Sequence, residues 1–432
     1  MFNWKSKYND RIVTAEEAVQ HINSGDRVVV GHCCGEPLTI VEAMVQRHAE
    51  LKNVEIFHMV AMGKAKYTQP GMEMSFRHNA AFLGGSTRKG YAERRVDYTP
   101  CFLSEVPKMF LEGYLPVDVA LVTVTPPDEE GKCSFGVSVD FTEPAARAAK
   151  TVIAQFNKYM PRTNGPTIAI SDIDWIVELD EPLIELQPPV ITKVEEEIGK
   201  NVAELIPDEA TLQLGIGGIP DAVLHFLTEK KNLGIHTEMF SDGVVALAEM
   251  GVVTNKKKTL HPGKYIATFF MGTKKLYDFV DNNPDLIMFD CSYTNDPSVI
   301  AQNNLMVSIN SALQVDLMGQ VNAESIGINQ FSGVGGQVDF VRGSSRSKGG
   351  KSILGLPSTA ANGTKSRIVI KLDDYSAITT SRNDVRFIVT EYGVAELWPK
   401  TLSQRAEALI AIAHPKFRDE LKEQAQKIGL LR

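Results

Sequence analysis

Short apolar runs recur along this chain, separated by turn residues. Arg27-Val28-Val29-Val30, Val119-Ala120-Leu121-Val122-Thr123-Val124, Thr211-Leu212-Gln213-Leu214, Leu286-Ile287-Met288-Phe289 and Met306-Val307-Ser308-Ile309-Asn310 are the clearest. Short length and β-branched content predict buried strands. Between them lie segments that read as helices, over 15–23, 38–44 and 195–206 and from Asp221 onward. Short buried strands alternating with helices indicate parallel sheets. Residues 402–430 read as an amphipathic helical tail that Pro415 divides in two. The Gly-, Ser- and Lys-rich stretch 343–351 reads as a loop.

One plan occurs twice. A helix over 15–23, the turn Gly25-Asp26, the strand 27–30 and the turn Gly31-His32-Cys33-Cys34-Gly35-Glu36-Pro37 lead into a second helix. A helix over 195–206, the turn Pro207-Asp208, the strand 211–214 and the turn from Gly215 to Pro220 repeat it. The copies lie about 180 residues apart, which suits a duplicated domain better than a solenoid. Pro182, Pro188 and Pro189 break regular structure between the halves. The expected architecture is two related open parallel-sheet α/β domains, 1–185 and 186–432.

Composition narrows the function. At 432 residues the chain is long for one domain, and its 43% hydrophobic and 23% charged content is that of an ordinary globular protein. A net charge of −8 argues against a nucleic-acid partner, which needs a basic footprint. The five cysteines lack Cys-x-x-Cys spacing, and no histidine pair has His-Glu-x-x-His spacing, so neither a disulfide framework nor a metal site is expected. Cys33-Cys34 reads as two small residues packed at a strand end. The N-terminus has no signal-peptide pattern and no apolar run is long enough to span a membrane. A cytoplasmic protein without a membrane partner is the expectation.

The chemistry concentrates at Gly215-Ile216-Gly217-Gly218-Ile219-Pro220 and at His236-Thr237-Glu238-Met239-Phe240-Ser241-Asp242-Gly243. A glycine turn opening a helix exposes N–H groups that hold an anion or a developing oxyanion. Pro220 is expected at or near the first helical position. Glu238, at the end of the next strand, is a candidate nucleophile beside such donors. A dinucleotide-binding turn is the competing interpretation, with Glu238 at about the offset of the ribose-binding acid, near 20 residues. Pro220 stands where that fingerprint needs its third glycine, which weakens it.

Several longer motifs decide between the two. The glycine turn, the Glu238 motif, Met271-Gly272-Thr273-Lys274-Lys275-Leu276-Tyr277-Asp278-Phe279, Gln330-Phe331-Ser332-Gly333-Val334-Gly335-Gly336-Gln337-Val338-Asp339-Phe340, Thr380-Ser381-Arg382-Asn383-Asp384 and Val389-Thr390-Glu391-Tyr392-Gly393-Val394-Ala395-Glu396 occur in order. Together they resemble the acetyl-CoA hydrolase/transferase family over nearly the whole chain. The resemblance implies two similar domains with the active site between them, a homodimer, and CoA transfer between short-chain carboxylic acids. Coenzyme A is then a substrate, acyl-CoA and carboxylates are the small-molecule partners, and no cofactor is bound permanently. Glu238 matches the catalytic glutamate that carries CoA as a thioester. Gly215, Ile216, Gly217, Gly218 and Ile219, with Gly333, Gly335 and Gly336, match the CoA-binding and oxyanion loops. Lys365 lies where the family contacts CoA phosphates, in a segment that departs from the family in length and composition.

Other residues have weaker claims. His32 and His58 end apolar stretches and fit either a cleft wall or a core histidine. Gln213, Asn310, Gln314 and Gln337 are amides near the motifs. Two alternatives to transfer remain: an acyl-CoA hydrolase, in which water captures the glutamyl intermediate, and a non-catalytic CoA-binding module. Glu238 with both glycine loops argues against the latter.

Overall fold

The structure is a computed structural model, and it describes residues 3–432. Among the described residues two compact units are resolved, one formed by 3–187 and 266–294, the other by 188–265 and 295–432. The break expected after residue 185 lies two residues later, and the segment 266–294 belongs to the first unit rather than the second. That excursion is tied into the first unit by backbone hydrogen bonds, Phe270 N to Val137 O (2.9 Å) and Met288 N to Asn164 O (2.7 Å).

The first unit is built on a seven-stranded parallel sheet. Its strands are β1 (Arg27–Val30), β2 (Val54–His58), β3 (Phe76–Ala80), β4 (Val96–Tyr98), β5 (Val119–Val124), β6 (Thr151–Phe156) and β7 (Trp175–Glu178). Their spatial order is β4-β3-β2-β1-β5-β6-β7. Central β5 is buried at every position, as expected for a strand covered on both faces. β1 aligns Val28 with Ile56 on one side and Val119 on the other. The helix expected over 15–23 is one α-turn, Ala15–Ala18, continued by the 3₁₀ turn Val19–His21. Helix α1 (Leu38–Gln46) follows the turn after β1.

The second unit has a six-stranded sheet. Helix α2 (Lys193–Leu205) opens it, and then come β8 (Thr211–Leu214), α3 (Gly218–His225), β9 (Gly234–Ile235), β10 (Met306–Ser311), α4 (Gln337–Arg346), β11 (Lys351–Gly355), β12 (Phe387–Thr390) and β13 (Gly393–Glu396). The order is β9-β8-β10-β11-β12-β13, parallel except that β13 returns antiparallel to β12. Thr192 and Glu195 form a capping box that starts α2: Glu195 N donates to Thr192 Oγ1 (3.3 Å) and Thr192 N to Glu195 Oε2 (2.8 Å). Gly199 lets α2 approach α3 closely, since a Cβ there would lie 2.8 Å from the Ala222 carbonyl carbon.

Two expectations need correction. The stretch 343–351 is not one loop, because α4 runs through Arg346 and β11 starts at Lys351. Gly343 packs inside that helix, where an added Cβ would stand 2.5 Å from Ile300 Cβ. Pro220 occupies the third helical position of α3 behind the N-cap Gly217, where its missing N–H is still without cost. The tail is two helices, α5 (Leu402–Ile412) and α6 (Pro415–Lys427), with Pro415 at the start of the second.

Candidate active site

Parallel register brings the site together at the carboxyl ends of the strands in the second unit. β9 pairs with β8 as Gly234 with Thr211 and Ile235 with Leu212, and β8 pairs with β10 as Leu214 with Ile309. One residue further, that register sets Gly215 beside Asn310, and β9 ends three residues before Glu238. Ligands of open α/β sheets bind in this position.

Glu238 is mounted on a rigid base. His236 and Thr237 are fully buried. His236 N donates to Leu212 O (3.1 Å), Leu214 N donates to Thr237 Oγ1 (3.3 Å), and Thr237 Oγ1 donates to Met239 O (2.8 Å). The carboxylate meets two groups that are distant in sequence. Asn295 Nδ2 donates to Glu238 Oε2 at 2.8 Å. Gly336, the N-cap of α4, lies so close that a Cβ on it would stand 1.8 Å from Glu238 Oε2 and 2.2 Å from Asn295 Nδ2. Only a residue without a side chain fits there. The partial positive charge of a helix N-terminus favours an anion in this place.

Two buried acceptors on neighbouring segments lack partners. Asn295 is fully buried, yet its Oδ1 has no hydrogen-bond partner. Gln337 follows Gly336; its Nε2 donates to Ser311 O (2.9 Å), while its Oε1 is buried and unsatisfied. Buried polar atoms are ordinarily paired, so an orphaned oxygen on the very amide that holds Glu238 points to a ligand that donates hydrogen bonds.

The first glycine turn divides its labour. Gly215 sits over Asn310, whose Oδ1 would be 2.9 Å from an added Cβ. Asn310 and Gln213 form a reciprocal buried amide pair at 3.0 and 3.1 Å, a floor beneath the turn. Gly217 has φ +122° and open space where a side chain would be, so its backbone is bare. Ile216 is 42% exposed beside it. Gly218 packs instead on Glu195, 2.2 Å from an added Cβ, and the Ile219 side chain belongs to the core against Gly355. In the second turn Gly333, Gly335 and Gly336 are all buried.

Some candidates lie apart from this cluster. Lys365 is exposed on the hairpin Thr359–Ala360/Lys365–Ser366. Gln314 donates to Asp373 at 3.2 Å on an exposed stretch. In the first unit His58 is a core histidine, its Nδ1 3.2 Å from Tyr67 Oη, and burial holds its pKa well below the usual value. His32 is buried against Asp140, Nδ1 to Oδ2 3.1 Å. All five cysteines are buried thiols. Asn295 escaped sequence reasoning entirely, because nothing in Tyr293-Thr294-Asn295-Asp296-Pro297 distinguishes a site amide from a residue preceding a helix cap.

With this geometry established, comparison with known proteins is direct. Residues 2–187 match the acetyl-CoA hydrolase/transferase N-terminal domain and residues 272–425 its C-terminal domain. The chain is 60% identical to the 4-hydroxybutyrate coenzyme A transferase of Clostridium kluyveri over 98% of its length and 99% of the relative's. It is 39% identical to the butyryl-CoA:acetate CoA-transferase of Anaerostipes caccae, covering 100% and 99%. The crystal structure of 4-hydroxybutyrate CoA-transferase from Porphyromonas gingivalis superposes with a TM-score of 0.85 at 46% identity, covering 99% of this chain and 100% of that one. RipA from Yersinia pestis superposes at 0.95 and 36% identity, with 99% and 100% covered. The chain belongs to the acetyl-CoA hydrolase/transferase family. It is an enzyme, a CoA-transferase similar to 4-hydroxybutyrate CoA-transferase. Among the described residues, no helix is long and apolar enough to cross a membrane.

Proposed function

We propose that this enzyme moves CoA between short-chain carboxylic acids, including 4-hydroxybutyrate, butyrate and acetate, through a glutamyl-CoA thioester on Glu238. The observation that carries the proposal is the Glu238 carboxylate, held by Asn295 and pressed on the bare backbone of Gly336. The names of the relatives support the substrate class.

Chemically, ionised Glu238 attacks the acyl-CoA carbonyl and CoA thiolate leaves, giving a mixed anhydride. The thiolate then attacks the glutamyl carbonyl, and the first carboxylate departs. An incoming carboxylate reverses both steps, and thioester energy is conserved without ATP. This is covalent catalysis with ping-pong kinetics. Asn295 acquires a role from its position. Its Nδ2 already bonds Oε2, and when thiolate adds to the glutamyl carbon that oxygen becomes an oxyanion. A donor lost from such a place typically costs about 2.7–4 kcal/mol. The bare N–H groups around Gly217 serve the other tetrahedral centre, at the acyl carbonyl.

The test traps the intermediate. Incubation with acyl-CoA alone, followed by borohydride, reduces the thioester to an alcohol and inactivates the enzyme, and peptide mass analysis finds the change in Gly234-Ile235-His236-Thr237-Glu238-Met239. Enzyme treated without acyl-CoA survives. Glu238→Ala binds CoA but loses at least about a thousandfold in turnover. A label on Glu324 or Glu391, or intersecting rather than parallel double-reciprocal plots, would overturn the reading. Acyl-CoA with water as sole acceptor measures any hydrolysis.

A further inference from the structure

β9 is the outermost strand of its sheet, and it delivers Glu238. Its inner side pairs with β8. On its outer side backbone pairing stops one residue earlier, at a single parallel bridge to Val253 in which Leu233 N donates to Val252 O (2.9 Å) and Leu233 O accepts from Thr254 N and Asn255 N (both 3.0 Å). Gly234 N and His236 N point inward, to Ala210 O (2.9 Å) and Leu212 O (3.1 Å). The N–H and C=O of Ile235 between them point outward, where no strand follows. An edge of this kind is ordinarily left to water or covered.

Here two side chains from one loop cover it. Ile235 N donates to Asn255 Oδ1 (2.8 Å), and Lys258 Nζ donates to Ile235 O (2.6 Å). Lys258 also donates to Lys264 O (2.7 Å), closing the loop on itself. Asn255 has φ +57° and its own carbonyl accepts from Gly263 N (2.8 Å), so the loop is tightly folded around it. Both side chains are buried, Lys258 to 4% exposure, and its stem packs on Gly234, where an added Cβ would be 2.4 Å from Lys258 Cγ. Burial pushes the lysine pKa down to about 7. Lysine normally keeps its charged head in water. This unit accepts the cost of burying one against Ile235, three residues before Glu238.

We propose that Asn255 and Lys258 together continue the outer pairing past the Leu233–Val253 bridge, in place of a longer strand, and that they are positioning residues for Glu238. They hold Ile235 from the open side while β8 holds its neighbours from the other. The turn at 236–238 therefore has no freedom to swing outward when thiolate or carboxylate attacks. The inference rests on Glu238 being the nucleophile.

The experiment compares variants in the first half-reaction, the rate of glutamyl-CoA formation from acyl-CoA in rapid-quench mode. Lys258→Met keeps the packed stem and removes the donors. Asn255→Gly removes the acceptor and tolerates positive φ, whereas Asn255→Asp retains the acceptor oxygen. Lys351→Met is the control, because Lys351 Nζ bonds Leu205 O (2.6 Å) at the far end of α2 by the same chemistry. Lys258→Met and Asn255→Gly should lower the half-reaction rate at least about tenfold while KM for acyl-CoA stays within about threefold. Asn255→Asp should hold the wild-type rate within about threefold, and Lys351→Met should lower the melting midpoint without changing the rate. A folded Lys258→Met or Asn255→Gly enzyme with the full rate overturns the inference. So does an equal rate loss in Lys351→Met, which would make the effect one of general stability. If Lys258→Met does not fold, the two Asn255 variants decide. Mass analysis of wild-type enzyme separates the premise: a label on Glu238 with unaffected variants defeats the positioning role alone, and a label elsewhere defeats the nucleophile assignment.

Discussion

After β1, the chain enters a turn whose side chains His32, Cys33, Cys34 and Glu36 are all buried. After β8, the corresponding turn is Gly215, Ile216 and Gly217, with Ile216 exposed and nothing packed where a Gly217 side chain would be. The topological position is the same: a strand inside a parallel sheet, a turn, then a helix. In the first unit side chains fill the space. His32 pairs with Asp140, and Glu36 Oε2 accepts from Met62 N and Gly63 N, both at 2.8 Å. In the second unit the space is left to backbone. A duplicated plan thus yields one plugged turn and one open one, and Glu238, the proposed nucleophile, belongs to the unit with the open one. Strand–turn–helix supplies a place for chemistry, and the residues of the turn decide whether it is used.

The sharpest way to break this contrast is to fill the open side. Gly336→Val would drive its side chain into Glu238 and Asn295. Turnover should fall at least about tenfold, or roughly 1.4 kcal/mol, and the melting midpoint should fall too, because buried neighbours must shift to admit the side chain. Full activity in the folded variant would make that turn purely structural. Gly217→Ala is milder, because space is available and only the backbone at φ +122° resists. Stability should drop by about 1 kcal/mol and turnover by several fold. An unaltered midpoint and rate would show that the bare backbone there is dispensable.

The smallest effect tests the plugged turn. Burial raises the Glu36 pKa to about 7, from 4.5. Between those values the folded protein keeps a proton that the unfolded chain has released, so stability from this group falls as pH rises through the window. Glu36→Gln retains an acceptor oxygen and removes the charge. The variant should be more stable than wild type at pH 8, by on the order of 1 kcal/mol, with the difference vanishing below about pH 4. Calorimetry at the two pH values checks this, and a variant less stable at pH 8 would show that the two N–H bonds need the full carboxylate.

The strands were legible because buried parallel strands are short, apolar and bounded by turns, as at 119–124 and 211–214. Helix α4 beyond residue 342 was not, because Gly343, Ser344 and Ser345 have loop composition and are small for another reason: Gly343 must fit against Ile300. The segment 266–294 carries no local sign that it leaves one unit for the other. Glu238 and both glycine turns were visible through long motifs. Asn295 was not, because only the fold brings its amide to a carboxylate 57 positions away. Gly336 was singled out for approach to a ligand, whereas the atoms it clears are those of Glu238 itself.

The covered edge of β9 also has a consequence for how these molecules treat each other when crowded. An uncovered outer strand displays a row of unmatched amides and carbonyls, a template for recruiting another chain into fibrous or swapped assemblies. At Ile235 both groups are already taken, by an amide and an ammonium of the same molecule. Strand-to-strand aggregation is therefore blocked on this edge, three residues before Glu238.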